Sequence, residues 1–207
     1  YGNIGTQLSV LAENLGLRVY FYDTSEKLAL GNAVRCNSLD ELLEVADIVT
    51  LHVDGRPGNS GFFGEEQFAR MRPRSIFLNL SRGFVIDHDA LRRHLGNGHL
   101  AGAAVDVFPK EPKAKGDEFV SALRGLPNVI LTPHVGGSTE EAQERIGAEV
   151  ARKLVDYSDI GSTVGAVNFP QVQVPARATG TRFIHVQRNL PGMLGRLNEV
   201  FARSHVN

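Results

Sequence analysis

The chain has 207 residues, 42% hydrophobic and 22% charged, proportions ordinary for a globular protein. A net charge of −1 provides no basic footprint for nucleic acid or an anionic membrane, and no apolar run approaches the roughly 18 residues that span a bilayer. The single cysteine, Cys36, cannot form an internal disulfide and suits a reducing, cytoplasmic compartment. The length allows one domain, or one domain plus part of another, and the chain opens at Tyr1 inside a glycine motif, as a fragment would.

In chain order, Tyr1-Gly2-Asn3-Ile4-Gly5 leads into a predicted helix over Thr6–Gly16, with Ile4, Leu8, Leu11 and Leu15 at helical spacing. Arg18–Asp23 is β-branched and aromatic enough to be a strand. Ser38 and Glu41 cap a short helix through Ala46. Strands are predicted over Asp47–Val53, Ser75–Leu80, Ala101–Phe108 and Val129–Leu131, and helices over Glu65–Met71 and Asp87–Leu95. This alternation argues for an α/β fold whose parallel sheet is covered on both faces.

Past Gly137 the pattern changes. Thr139–Tyr157 is one long helical pattern, with Ile146, Val150, Leu154 and Tyr157 on a stripe. Ser138 and Glu141 form a capping box at its start. Residues 168–181 read as a linker, Arg182–Val186 as a strand, and Pro191–Arg203 as a helix with Pro191 in its first turn.

Four stretches carry chemistry. Gly2-x-x-Gly5 before a helix, with Asp23 following 18 residues after Gly5 at a strand end, has the form of a dinucleotide fingerprint. Asp23 would accept both ribose hydroxyls and repel a 2′-phosphate, favouring NAD over NADP. Arg82, in Asn79-Leu80-Ser81-Arg82-Gly83 at a strand end, can fork onto a substrate carboxylate. Asp106 lies near a strand end, facing the nicotinamide side of a cofactor. Glu111, between prolines, is a candidate partner for His134, which sits in Leu131-Thr132-Pro133-His134-Val135-Gly136-Gly137 between a strand and a helix. A carboxylate on one imidazole nitrogen fixes the tautomer and stabilises the imidazolium. Each also has a plainer reading: a glycine turn, a surface ion pair, solvated loop acids, a structural histidine. His88, His94 and His99 read as solvated, His52 as a possible adenosine-side contact, and Cys36 as buried or inert. None of the histidines is spaced with other ligands as in a metal site.

Together YGNIG…YFYD, LHV, NLSRG, AAVDVFPKEP, LTPHVGGST and HVQRNLPGML resemble the D-isomer-specific 2-hydroxyacid dehydrogenases, of the kind with a C-terminal ACT regulatory domain. The resemblance implies a Rossmann-like doubly wound sheet followed by the start of a ferredoxin-like ACT domain. It divides the chain into an NAD-binding domain (1–137), a helix returning to an absent substrate domain (138–160), a linker (161–180) and a truncated ACT domain (181–207). It implies a catalytic set of Arg82, Glu111 and His134, and cofactor contacts from Gly2, Asn3, Ile4, Gly5, Asp23, Leu80, Ser81, Arg82, Asp106, His134, Val135, Gly136 and Gly137.

The activity so implied is NAD-dependent oxidation of D-3-phosphoglycerate to 3-phosphohydroxypyruvate by a homo-oligomer, the entry to serine synthesis, with 2-oxoglutarate reduction as a side activity. L-serine would be the effector, bound by Asn189 and Asn207. The alternatives are a dehydrogenase for another D-2-hydroxy acid and a noncatalytic, corepressor-like NAD module. Three positions depart from the family pattern: Asp54 where proline usually follows LHV, Leu80 for alanine, and Gln187 for a histidine at the effector site.

Overall fold

The computed structural model describes residues 1–114, 116–175 and 182–205, and the chain separates into two compact units, Tyr1–Thr139 and Glu140–Asn207. In the first, α1 (Asn3–Asn14) precedes β1 (Tyr20–Phe21), which pairs in parallel with β2 (Val34–Arg35). Then come α2 (Leu39–Val45), β3 (Ile48–Leu51), α3 (Glu65–Arg70), β4 (Ile76–Asn79), α4 (His88–Gly96), β5 (Gly102–Val105) and β6 (Val129–Leu131). Strands β3 to β6 lie side by side in chain order, all parallel. Parallel neighbours need crossovers; α3 and α4 lie in the first two, and the β5–β6 connection has no helix among the described residues.

Side chains alternate across a strand, and here the alternation decides where the core sits. Val49, Phe77, Ala103 and Val129 stand in one row, and Leu51, Asn79, Val105 and Leu131 in the next. Leu43 of α2, Phe68 of α3 and Ala90, Leu91 and Leu95 of α4 join these rows in one core. Phe63, Phe68 and Phe77 meet there with ring centroids 4.8–5.0 Å apart, and burying each contributes about 1.5–3 kcal/mol. The opposite face carries Ile48, Ile76 and Ile130 at 46, 39 and 65% exposure. The apolar side chains of α2, α3 and α4 all go to the first of these faces.

Local chemistry sets the boundaries. α1 starts at Asn3, before the expected Thr6, because Gly2 is the extended cap residue; the Thr6 hydroxyl instead donates back to the Gly2 carbonyl at 2.9 Å. The helix ends before Gly16, whose φ of 82° only glycine takes without strain. The strand expected over Arg18–Asp23 shrinks to Tyr20–Phe21, since only Val34 and Arg35 pair with it. Ser38 does cap α2, its hydroxyl accepting from the Glu41 amide at 3.1 Å, while the Glu41 carboxylate reaches the Asn37 amide at 2.7 Å.

The second unit contains α5 (Glu140–Ile160) and α6 (Met193–Arg203). The Ile146, Val150, Leu154 and Tyr157 stripe of α5 stays exposed. Ser138 lies one residue too early for the expected capping box, and its hydroxyl donates to the His134 carbonyl at 3.0 Å. Within the expected linker, Thr163 closes a loop: its amide donates to the Val172 carbonyl, and its hydroxyl meets the Pro170 carbonyl at 2.7 Å and the Val172 amide at 2.8 Å. The strand expected over Arg182–Val186 does not form; no strand of this unit's described residues is present to accept its hydrogen bonds. α6 starts at Met193 rather than Pro191, because Gly192 at φ 85° cannot belong to a right-handed helix. Asn207 lies outside the described residues.

Candidate active site

Strands β4, β5 and β6 end in register at Asn79, Val105 and Leu131, so the segments that follow them begin side by side. This carboxyl edge is where open α/β sheets bind ligands. The buried Asn79 builds the first segment. Its Oδ1 accepts from the Ser81 amide at 3.1 Å and hydroxyl at 2.8 Å, and its Nδ2 donates to the Arg82 carbonyl at 3.1 Å. Both donors of Ser81 are thus engaged within the turn. Leu80 projects, 51% exposed. Arg82 is exposed; its Nη1 donates to the Ser81 carbonyl at 2.7 Å and its stem lies beside Gly55.

Gly83 binds the first segment to the second. A Cβ there would fall 2.0 Å from the Phe108 carbonyl carbon, so the two backbones touch where only glycine fits. The Phe108 amide in turn donates to Glu111 Oε1 at 3.0 Å, and the Glu111 carboxylate accepts from His134 Nδ1 at 2.9 and 3.0 Å. Burial pushes the Glu111 carboxyl up, but the His134 hydrogen bond and the Phe108 amide outweigh it and hold the group below its usual 4.5. A carboxylate only accepts, so Nδ1 carries the imidazole proton and Nε2 is left as the basic nitrogen of the neutral ring.

Asp106 holds the third segment. It is buried, and its Oδ1 accepts from the Thr132 hydroxyl at 2.6 Å and the Val135 amide at 3.2 Å, one on each side of His134. Oδ1 is thus committed to this loop, and no hydrogen bond to Oδ2 joins it among the described contacts. Between its clamps His134 takes φ 56°, a left-handed conformation costing a non-glycine residue on the order of 1–3 kcal/mol. Gly136 and Gly137 follow without positive φ, and space around the site of a Gly137 Cβ is open. The site thus brings Glu111 and His134 into contact, while Arg82 is linked to them through the Gly83–Phe108 backbone contact.

At the amino end, α1 has an extended Gly2 as cap residue, no side-chain cap and no acid in its first turn. The Asn3, Ile4 and Gly5 amides are therefore first-turn donors at a positive helix end, and no Cβ neighbour crowds Gly2. That chemistry fits a pyrophosphate. Asp23 follows β1; its Oδ1 accepts from the Ser25 amide at 2.8 Å. These donors and the exposed Leu80 and Val135 fit a dinucleotide.

His94 is buried and His88 and His99 are partly buried, contrary to the expectation that these three are solvated. His94 is 7% exposed with Nε2 2.8 Å from Glu65, His88 meets the Gly83 carbonyl at 3.1 Å, and His99 meets the Phe68 carbonyl at 3.1 Å. His52 is 3.0 Å from the Thr50 hydroxyl, and burial lowers its basicity. Cys36 is buried, and burial followed by the Glu41 charge pushes its thiol up, away from the reactive thiolate. Sequence reasoning passes over the roles of Asn79 and Thr132 and misses the contact of His88. An asparagine two residues before a serine at a strand end is a legible turn signal; the contacts of Thr132 and His88 are tertiary and leave no local mark. No helix among the described residues is long and apolar enough to cross a membrane.

The family model of the D-isomer specific 2-hydroxyacid dehydrogenase NAD binding domain matches residues 1–136. The chain is 52% identical to the D-3-phosphoglycerate dehydrogenase of Escherichia coli K12 and 50% identical to that of Haemophilus influenzae, in each case over 207 residues, all of this chain and 50% of the relative. It thus spans about half the length of these curated relatives. Among solved structures, a D-isomer specific 2-hydroxyacid dehydrogenase from Lactobacillus delbrueckii in its NAD-complexed form matches with a TM-score of 0.68 and 26% identity, covering 81% of this chain and 54% of that one. The uncapped α1 start, the parallel sheet and the Glu111–His134 pair at its carboxyl edge thus stand in a chain that belongs to the D-isomer specific 2-hydroxyacid dehydrogenases and carries their Rossmann-like NAD-binding domain.

Proposed function

We propose that this chain is the nucleotide-binding part of an NAD-dependent D-3-phosphoglycerate dehydrogenase acting at the entry to serine synthesis. The observation that carries the reading is the Glu111–His134 contact at 2.9 Å, held at the ends of adjacent strands beside the Arg82 turn. When bound, NAD supplies the hydride acceptor. His134 Nε2 takes the proton of the substrate C2 hydroxyl as the C2 hydride departs, and Glu111 stabilises the imidazolium that forms. Arg82 swings from the Ser81 carbonyl onto the substrate carboxylate and the forming carbonyl oxygen, two acceptors that match its fork. The α1 amides and the region of Asp23 hold the two ends of the adenosine diphosphate moiety.

Residues 138–160 return to a substrate domain, 161–180 link onward, and 181–207 open an ACT domain with L-serine as effector through Asn189 and Asn207. His185 Nε2 lies 3.0 Å from Gln187 Oε1, which leaves the Gln187 amide nitrogen to donate to an effector in place of the family's histidine. The active form would be a cytoplasmic homo-oligomer. The ACT-like tail and the intact Arg82, Glu111 and His134 set argue against a corepressor-like module. The test is a chimera in which this segment replaces the matched 207 residues of the Escherichia coli relative. It should oxidise D-3-phosphoglycerate with NAD at least about tenfold faster than D-lactate or D-glycerate, a preference within reach of differential binding; equal or reversed rates would refute the substrate assignment.

A further inference from the structure

The Gly83–Phe108 contact ties the Arg82 turn to the loop that carries Glu111, and a histidine of α4 braces it. His88 follows the Asp87 cap at the head of that helix, and its Nε2 lies 3.1 Å from the Gly83 carbonyl oxygen. A carbonyl only accepts, so Nε2 carries a ring proton and donates it. The same ring, partly buried, meets the ring of Phe108 with centroids 6.4 Å apart, and Phe119 meets Phe108 at 4.6 Å. His88 therefore touches both sides of the joint: the residue after Arg82, and the residue whose amide donates to the Glu111 carboxylate at 3.0 Å. Asn79 holds the Arg82 carbonyl at 3.1 Å and His88 holds the next one, so the two peptide planes that follow Arg82 are both pinned. Burial lowers the basicity of the ring, over the opposing pull of the Gly83 carbonyl and of Asp87 and Asp89, and so favours the neutral form.

We propose that His88 is a positioning residue for the dehydrogenase reaction, fixing the Arg82 turn and the Glu111 loop against each other through the Gly83 carbonyl and the Phe108 ring. It acts through those two residues rather than on the substrate, and what it supplies is the aim of groups that must meet the substrate in a narrow geometry. The inference rests on the proposed dehydrogenase function and adds a residue to its machinery.

Two substitutions in the chimera separate the hydrogen bond from packing. His88→Leu keeps apolar bulk against Phe108 but has no donor, whereas His88→Gln offers an amide nitrogen at about the reach of Nε2. Because Arg82 holds the substrate carboxylate, Leu should raise KM for D-3-phosphoglycerate about fivefold, the worth of one hydrogen bond, with NADH affinity within about twofold. Gln should bring KM back to within about twofold of the parent. A loss of folded enzyme alone would lower apparent kcat and leave KM where it was. A His88→Leu KM within about twofold of the parent, or a Gln variant no better than Leu, would overturn the proposal. Nitrogen NMR of the imidazole in the unsubstituted chain needs no variant: Nε2 should carry the proton of the neutral ring, and a proton on Nδ1 instead would also overturn it. A parent chimera that does not oxidise D-3-phosphoglycerate would overturn the dehydrogenase function itself, and the positioning role with it.

Discussion

Glu111 stays charged because two donors face it, and in the proposed mechanism that charge is what His134 needs when it takes a proton. Glu111→Gln keeps an acceptor for Nδ1 but removes the counter-charge. In the chimera it should lower kcat about tenfold, a share of the 10²–10⁴ that general acid–base groups supply, while NADH affinity in a fluorescence titration stays the same. The same residue predicts a pH dependence. Its folded-state value is depressed, so its contribution to stability is present above the unfolded value near 4.5 and is lost as pH falls through the lower folded value. Thermal unfolding of wild type and Glu111→Gln should therefore differ most above pH 4.5 and converge below it. At this scale the sequence is legible where residue type and position point to one chemistry, as with a histidine after a strand or an acid between prolines. It is not legible where tertiary contact decides the role. The contacts of Asp106 with Thr132 and Val135 are of this kind, and no spacing in the sequence announces them.

The joint between segments is a property of elements rather than of any one side chain. Gly83 lets the turn after β4 touch the backbone at Phe108, whose amide positions Glu111. Gly83→Ala forces that contact apart. It should destabilise the protein by about 1–3 kcal/mol, the range of overpacked sites, and lower chimera turnover more than NADH affinity. An unchanged melting temperature would mean that the contact can relax at little cost. Element identity is legible throughout β3–β6 because apolar runs, caps and prolines all agree; Asp87, expected as the first helical residue, caps α4 instead, accepting from the Asp89 and Ala90 amides at 2.9 and 3.0 Å. Strand length is not legible at Arg18–Asp23, because pairing partners, not propensity, set where a strand ends. β2 escapes the sequence reading for the same reason: Val34–Arg35 carries no alternation of its own.

At the scale of the whole molecule, a strand and a helix near the carboxyl end imply regulation only if their partners are supplied. Arg182–Val186 has strand composition but finds no pairing among the described residues of its unit. In the chimera, where the relative supplies the rest, L-serine should inhibit turnover, and Asn189→Ala should raise the half-inhibitory concentration about tenfold, the loss of one or two hydrogen bonds. No inhibition at millimolar serine would refute the effector assignment. The central claim is narrower: three adjacent strand ends place Glu111 and His134 as one acid–base unit beside a dinucleotide. Steady-state turnover of chimeric His134→Ala tests it most directly. The account predicts a fall in kcat of at least about 10²-fold with NADH affinity unchanged; turnover near that of the parent chimera would contradict it.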